Sequence, residues 1–130
     1  AVRRVPRILR DGGTVGFLSD QATVGLASTF VPFFGRPAKT PRGGAVFALR
    51  AGVPVVLIQA IREPDGRYRF HAEKIDVPGT GDREHDVDEI IRRFSAALER
   101  LVRRYPGQYF WQHRRWKHQP ADTPPHLREP

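Results

Sequence analysis

The chain has 130 residues, enough for one small domain or for part of a larger one. Hydrophobic residues make up 39% and charged residues 28%, a globular composition and not a disordered one. The absence of Cys excludes disulfides, thiolate metal sites and a thiol nucleophile, and the net charge of +8 suits either an anionic partner, such as nucleic acid, phospholipid headgroups or a phosphorylated substrate, or simply a soluble Arg-rich surface.

No Met occurs, so Ala1 does not read as a translation start and the chain reads as a piece of a longer protein. No signal-peptide pattern is visible, and no apolar run approaches the roughly 20 residues of a membrane span. The longest, Val53 to Ile61, is interrupted by Pro54 and Gln59 and suits a buried strand.

In chain order, Val5, Ile8 and Leu9 keep helical spacing and Gly12-Gly13 stops that helix. Thr14 to Ser19 is a short apolar run, read as a buried strand, with Asp20-Gln21 just past its end. Residues 22–38 are expected to be irregular, with a Phe-rich patch of Phe30, Phe33 and Phe34. Thr40-Pro41 reads as a helix start, a hydroxyl N-cap followed by Pro at the first helical position, and Gly52 as the end of that helix. Pro54 to Ala60 follows as a second buried strand. Strand, helix and strand in this order predict a right-handed crossover and a parallel pair.

Pro64-Asp65-Gly66 is a turn, which allows a hairpin and hence a mixed sheet. In the strand beyond it Tyr68, Phe70 and Ala72 share one face and Arg69, His71 and Glu73 the other. Asp86 and Glu89 resemble a capping box ahead of the stripe Val87, Ile90, Ile91, Phe94, Leu98, Leu101 and Val102. The fold class is thus α/β, a mostly parallel or mixed sheet with flanking helices. The tail from Pro120 is Pro-rich and expected to be loose.

Four features can carry chemistry. Asp20-Gln21 lies where open α/β sheets bind ligands, and a carboxylate there can orient a base or bind a hydroxyl; it equally suits a loop cap. Phe33 and Phe34 cannot share one strand face, so one ring either lines an apolar groove or packs between strand and helix. Lys39 and Arg42 flank the expected helix start at Thr40 and form a candidate anion site, without the pattern of a P-loop. Tyr109 to Lys117 (YFWQHRRWK) interleaves aromatics with cations. That pattern suits nucleic-acid stacking, a bilayer interface, or a set of core anchors.

Asp20, the Phe30-Val-Pro-Phe-Phe-Gly35 segment, Thr40, Gly44, the Ala-Gly-Val-Pro-Val-Val run at 51–56 and Pro106-Gly-Gln-Tyr-Phe-Trp-Gln-His-Arg-Arg-Trp-Lys117 occur in this order. The order resembles the lipid A biosynthesis (lauroyl/myristoyl) acyltransferase family, within the glycerolipid acyltransferase superfamily. That family closes on a Pro-Glu-Gln-Tyr-x-Trp-x-His-Arg-Arg-Phe-Lys-like signature; Gly107 and Trp116 depart from it. The resemblance covers roughly residues 8–120.

It implies that residues 1–120 are the C-terminal half of one acyltransferase domain, with a partial glycerolipid-acyltransferase-like fold. The implied enzyme works in lipopolysaccharide or glycolipid biosynthesis at the cytoplasmic face of the bacterial inner membrane. It moves a fatty acyl chain from acyl carrier protein to a hydroxyl of a lipid A precursor or similar glycolipid, with no cofactor. The catalytic His-x-x-x-x-Asp is then expected upstream of Ala1. His71 and Asp76 have that spacing, but residues five apart on a strand face opposite ways, on the order of 16 Å apart.

Under the resemblance Asp20 and Gln21 border the site, and Phe33 and Phe34 contact the acyl chain. Arg36, Lys39, Thr40 and Arg42 meet phosphate or phosphopantetheine. His113, Arg114 and Arg115 orient the closing segment or bind headgroups. The competing reading is a basic-aromatic nucleic-acid-binding module without enzymatic activity.

Overall fold

The computed structural model describes residues 2–22 and 25–129. In chain order they form helix α1 (Val5–Arg10), strands β1 (Ser28–Phe33) and β2 (Arg36–Pro41), helix α2 (Gly43–Ala51), strands β3 (Val55–Arg62) and β4 (Tyr68–Ile75), and the long helix α3 (Arg83–Arg104). Short 3₁₀ turns follow at Pro106–Gln108 and Pro125–Leu127.

Helix α3 organises the core. It starts three residues before the expected Asp86. Asp82 is the N-cap, its carboxylate accepting the Glu84 and His85 N–H groups at 3.1 Å each. Asp86 is instead buried and accepts from the Thr80 hydroxyl at 2.6 Å. Acidic Glu84 and Asp86 in the first turn and Arg103 and Arg104 in the last complement the helix dipole. The predicted apolar stripe holds: Val87, Ile90, Ile91, Leu98, Leu101 and Val102 are buried in one cluster with Val31, Phe33, Ala38, Ala45, Leu57 and Ile75, and Phe94 packs on its edge.

The expected parallel pair does not form. Among the described residues the strands make two separate antiparallel hairpins, β1 with β2 and β3 with β4. The run at 14–19 is not a strand and is not buried: Leu18 is 88% exposed, and Phe17 lies on α2 against Phe47. A strand needs a ladder partner, and here β3 takes β4. Gly44 makes room for Phe17, since a Cβ at that position would sit 3.2 Å from the ring.

Residues 28–41, expected to be mostly irregular with a helix start, are a hairpin; Thr23 and Val24, in the stretch 22–38 expected to be irregular, lie outside the described residues. Phe33 pairs with Arg36 across the two-residue turn Phe34-Gly35, and both turn residues have positive φ, 51° and 72°. Two such residues match the twist of the flanking strands. Thr40 and Pro41 therefore belong to β2, where they pair with Thr29 and Ser28. Helix α2 begins only at Gly43 and makes no side-chain cap bond, while its predicted end at Gly52 stands, with φ of 63°.

The β3–β4 hairpin forms where expected, with the predicted alternation of faces. The strand at 54–60 is buried on one face only. Leu57, Ile61 and Ile75 point into the core; Val56, Ile58, Tyr68 and Phe70 point out, Phe70 at 72% exposure.

Candidate functional site

After α3 the chain runs through Pro106–Gln108 and a series of turns to Lys117, and six side chains of this stretch, Gln108, Tyr109, His113, Arg114, Arg115 and Trp116, bond to other parts of the molecule. Gln108 exchanges two bonds with the end of β3, accepting Arg62 N–H at 2.8 Å and donating to Arg62 C=O at 3.0 Å. Tyr109 Oη donates to the Asp20 carbonyl at 3.3 Å. The His113 Nε2 accepts the Ala22 N–H at 3.0 Å. Trp116 Nε1 donates to the Phe33 carbonyl at 3.2 Å.

Arg115 is the centre of this arrangement. It is only 2% exposed, and its guanidinium donates to the Lys39 carbonyl and to Thr40 Oγ1, both at 2.6 Å. Its Cζ lies 5.6 Å from the Phe33 ring centroid, a cation–π contact in a desolvated setting. Nε finds no acceptor. Burial lowers the guanidinium's pKa from its ordinary value, while Tyr109 and the Asp20 charge act against that shift. Burial also raises the Tyr109 phenol; the Arg115 charge opposes this and the Asp20 charge adds to it. Asp20, Tyr109, Arg115 and Thr40 are thus one electrostatic neighbourhood.

Phe33 is fully buried, and rings from three directions surround it: Phe34 at 4.9 Å, Tyr109 at 5.7 Å and Trp116 at 5.9 Å between centroids. One of the two adjacent Phe rings leaves the core, as expected, but it lands on protein. Phe34 packs against Trp111, with the Arg103 guanidinium 4.7 Å above it. Its left-handed backbone is held by Glu99, which accepts the Phe34 N–H at 2.7 Å.

The predicted site residues therefore divide. Asp20, Phe33, Thr40, His113 and Arg115 come together, with the Lys39 carbonyl, and Arg36 stacks on Trp116 at the rim. Half-buried Gln21 lies in the same 20–22 segment. Arg42 does not join them: it pairs with Glu84 at 2.6 Å and Asp88 at 3.5 Å, so carboxylates already answer its charge. Arg114 pairs with Glu129 of the tail at 3.3 Å. An anion site built on Arg42 at a helix starting at Thr40 is thus not assembled. Thr40, Phe33 and Arg115 have their side chains enclosed in the interior.

His71 sits in β4 opposite Gln59, and its ring faces Glu73, two residues on, at 3.9 Å, while Asp76 lies beyond the strand end. Among the described residues no group of three or more His, Asp or Glu side chains is placed to hold a metal ion, and no helix is long and apolar enough to cross a membrane.

The side chains bridging these segments are those of the closing signature, and the match to known proteins runs through it. The profile of the family described as bacterial lipid A biosynthesis acyltransferase matches residues 1–118. The chain belongs to that family. It is 27% identical over 122 residues to the lipid A biosynthesis palmitoleoyltransferase of Escherichia coli (strain K12), covering 92% of this chain and 39% of that protein. It is 28% identical over 120 residues to the lipid A biosynthesis lauroyltransferase of the same organism, covering 91% and 38% respectively. The chain thus spans about two-fifths of the length of the curated relatives it matches.

Packing decides part of what the residue types alone left open in the 109–117 segment. Tyr109, Trp116 and Arg115 point inward as anchors, while Phe110, Trp111, Arg114 and Lys117 are exposed. Sequence reasoning assigned no role to Gln108 or Glu99. Gln108 stands in the closing signature, but its partner lies 46 residues away; nothing local marks Glu99, which acts on a backbone group 65 residues away.

Proposed function

We propose that this chain is part of an acyltransferase that moves a fatty acyl group from acyl carrier protein to a hydroxyl of a lipid A precursor or similar anionic glycolipid. The observation that carries the reading is the family match over residues 1–118, continuous through the closing signature. The reaction is direct acyl transfer: a general base takes the acceptor hydroxyl's proton, the oxygen attacks the thioester carbonyl, and the pantetheine thiol leaves. The base in this reading is not His71, which a strand separates from Asp76, and comes from residues beyond these 130.

Within the chain Asp20 and Gln21 border the reacting groups, and the 105–117 segment supports them from behind. Arg36, Lys39 and the net charge of +8 suit the phosphates of the acceptor and an acidic membrane surface at the cytoplasmic face of the inner membrane. The nucleic-acid-binding alternative has less to stand on. It needs free rings for stacking, and of the segment's four large rings Tyr109 and Trp116 are packed against Phe33, leaving Phe110 and Trp111 exposed.

The test is an assay of the full-length gene product with acyl carrier protein thioesters and a tetraacyl lipid A precursor in mixed micelles. Acyl transfer to the glycolipid is expected. A folded full-length product that transfers to no glycolipid acceptor, but binds RNA saturably in a salt-dependent titration, would sink the reading.

A further inference from the structure

The segment carrying Asp20 has no ladder of its own. Residues 14–19 form neither helix nor strand, and Leu18 among them is almost fully exposed. What fixes the backbone at 20–22 are two bonds from the closing segment: Tyr109 Oη to the Asp20 carbonyl at 3.3 Å and the Ala22 N–H to His113 Nε2 at 3.0 Å. Tyr109 and His113 belong to one tightly turned unit, in which Trp111 N–H bonds to Tyr109 C=O at 2.9 Å and His113 N–H to Phe110 C=O at 3.2 Å. That unit is itself anchored at Arg62 by Gln108 and at β2 by Arg115.

The two bonds differ in chemistry. A phenol hydroxyl donates at any pH at which it is protonated. Nε2 can accept only from a neutral imidazole whose single ring proton is on Nδ1; the imidazolium carries N–H at both positions and has no lone pair to offer. The charged and titratable groups of the two facing segments are Asp20, Tyr109, Arg114 and Arg115.

We propose that His113 is a positioning residue: its neutral, Nδ1-protonated imidazole latches the 20–22 backbone to the closing segment and so fixes the backbone that carries Asp20. The proposal rests on the acyl-transfer reading only for the importance of Asp20. The latch itself is a property of this chain and is tested without activity.

The experiment is amide hydrogen exchange by NMR on the ¹⁵N-labelled 130-residue chain, with the ring nitrogens of His113 observed in parallel. The Ala22 amide is expected to be protected at neutral pH roughly five- to tenfold beyond its value in a variant with no acceptor at position 113. His113→Gln, which offers an acceptor oxygen near the place of Nε2, keeps the protection. His113→Phe loses it, while the amides of α3 stay protected. Protection of Ala22 unchanged in His113→Phe would overturn the proposal. If that variant fails to fold, the wild-type ring decides: a proton on Nε2 at neutral pH excludes the acceptor role, and a proton on Nδ1 with a bare Nε2 supports it. An inactive full-length enzyme with an intact latch would count against the acyl-transfer reading and not against the latch.

Discussion

The two hairpins are built alike and buried very differently. In β1–β2 the inward face carries Val31, Phe33, Ala38 and Thr40, each at most 1% exposed, because α3 covers it from one side and the 109–116 segment closes it from the other. In β3–β4 the inward face carries Leu57, Ile61 and Ile75, while the outer face leaves Val56, Ile58, Tyr68 and Phe70 in the open. The outer face of β1–β2 is open as well, with Phe30 42% exposed. What separates them is the inward face, which in β1–β2 is packed by the family's closing signature as well as by α3. Arg115 and Trp116 bond to the Lys39 and Phe33 carbonyls of that hairpin, so the packing leaves few buried polar atoms unpaired.

This contrast can be broken at its strongest point first. Phe33→Ala removes a ring that touches Phe34, Tyr109 and Trp116, and is expected to cost about 3–5 kcal/mol in urea unfolding. A cost under 1 kcal/mol would mean that the closing segment does not pack on β1–β2. Next, Arg115→Ala removes the donors to the Lys39 carbonyl and Thr40 Oγ1, leaving the latter only its bond to the Ala38 carbonyl, and should cost roughly 3 kcal/mol by the same measurement. Arg115→Lys keeps the charge but not the two-armed geometry, and should recover less than half of that.

The third prediction concerns pH. Burial raises the Tyr109 phenol's pKa, so the folded chain holds that proton more tightly than the unfolded chain does. The resulting stability is complete below the unfolded phenol's pKa, about 10, and is lost as pH rises through the folded value. Melting temperature should therefore fall above about pH 10, and fall less steeply in Tyr109→Phe. Equal slopes for both chains would remove Tyr109 from the alkaline transition. The smallest effect is expected on the bare face: Ile58→Thr and Phe70→Thr should each change stability by no more than about 0.5 kcal/mol. A loss above 2 kcal/mol from either would show that this face is covered after all.

Local sequence signals read α3 well because a seven-residue apolar stripe at helical spacing has one physical solution. They read Gly52 and the turn at Pro64-Asp65-Gly66 for the same reason: the required backbone is set within a few residues. They failed at Thr40-Pro41. A hydroxyl followed by Pro is a good helix start, but in β2 the Thr40 hydroxyl meets Arg115, 75 residues away, and pairing with β1 outweighs the cap. The 14–19 run failed similarly, since an apolar run shows what would be buried in a strand and not whether a partner strand exists. Of the candidate site, Asp20 and the His113-Arg114-Arg115 run stood out by residue type; their adjacency did not, because it comes from contacts across some 90 residues.

By itself, then, the sequence determined the family, a mixture of helices and strands, a helix from Asp86 that the structure starts at Arg83, and strands at 54–60 and 68–73 that the structure places at Val55–Arg62 and Tyr68–Ile75. Each follows from residue order or from periodicities of two and 3.6 that local sterics impose. Only the tertiary structure decided that the strands pair as two hairpins, that Thr40 and Arg115 form a buried pair, and that the basic-aromatic segment is spent on holding the 20–22 backbone and the first hairpin. Those outcomes depend on which surfaces meet. A cation's role as headgroup ligand or as internal anchor is set by the acceptor it reaches, and that acceptor is chosen by packing.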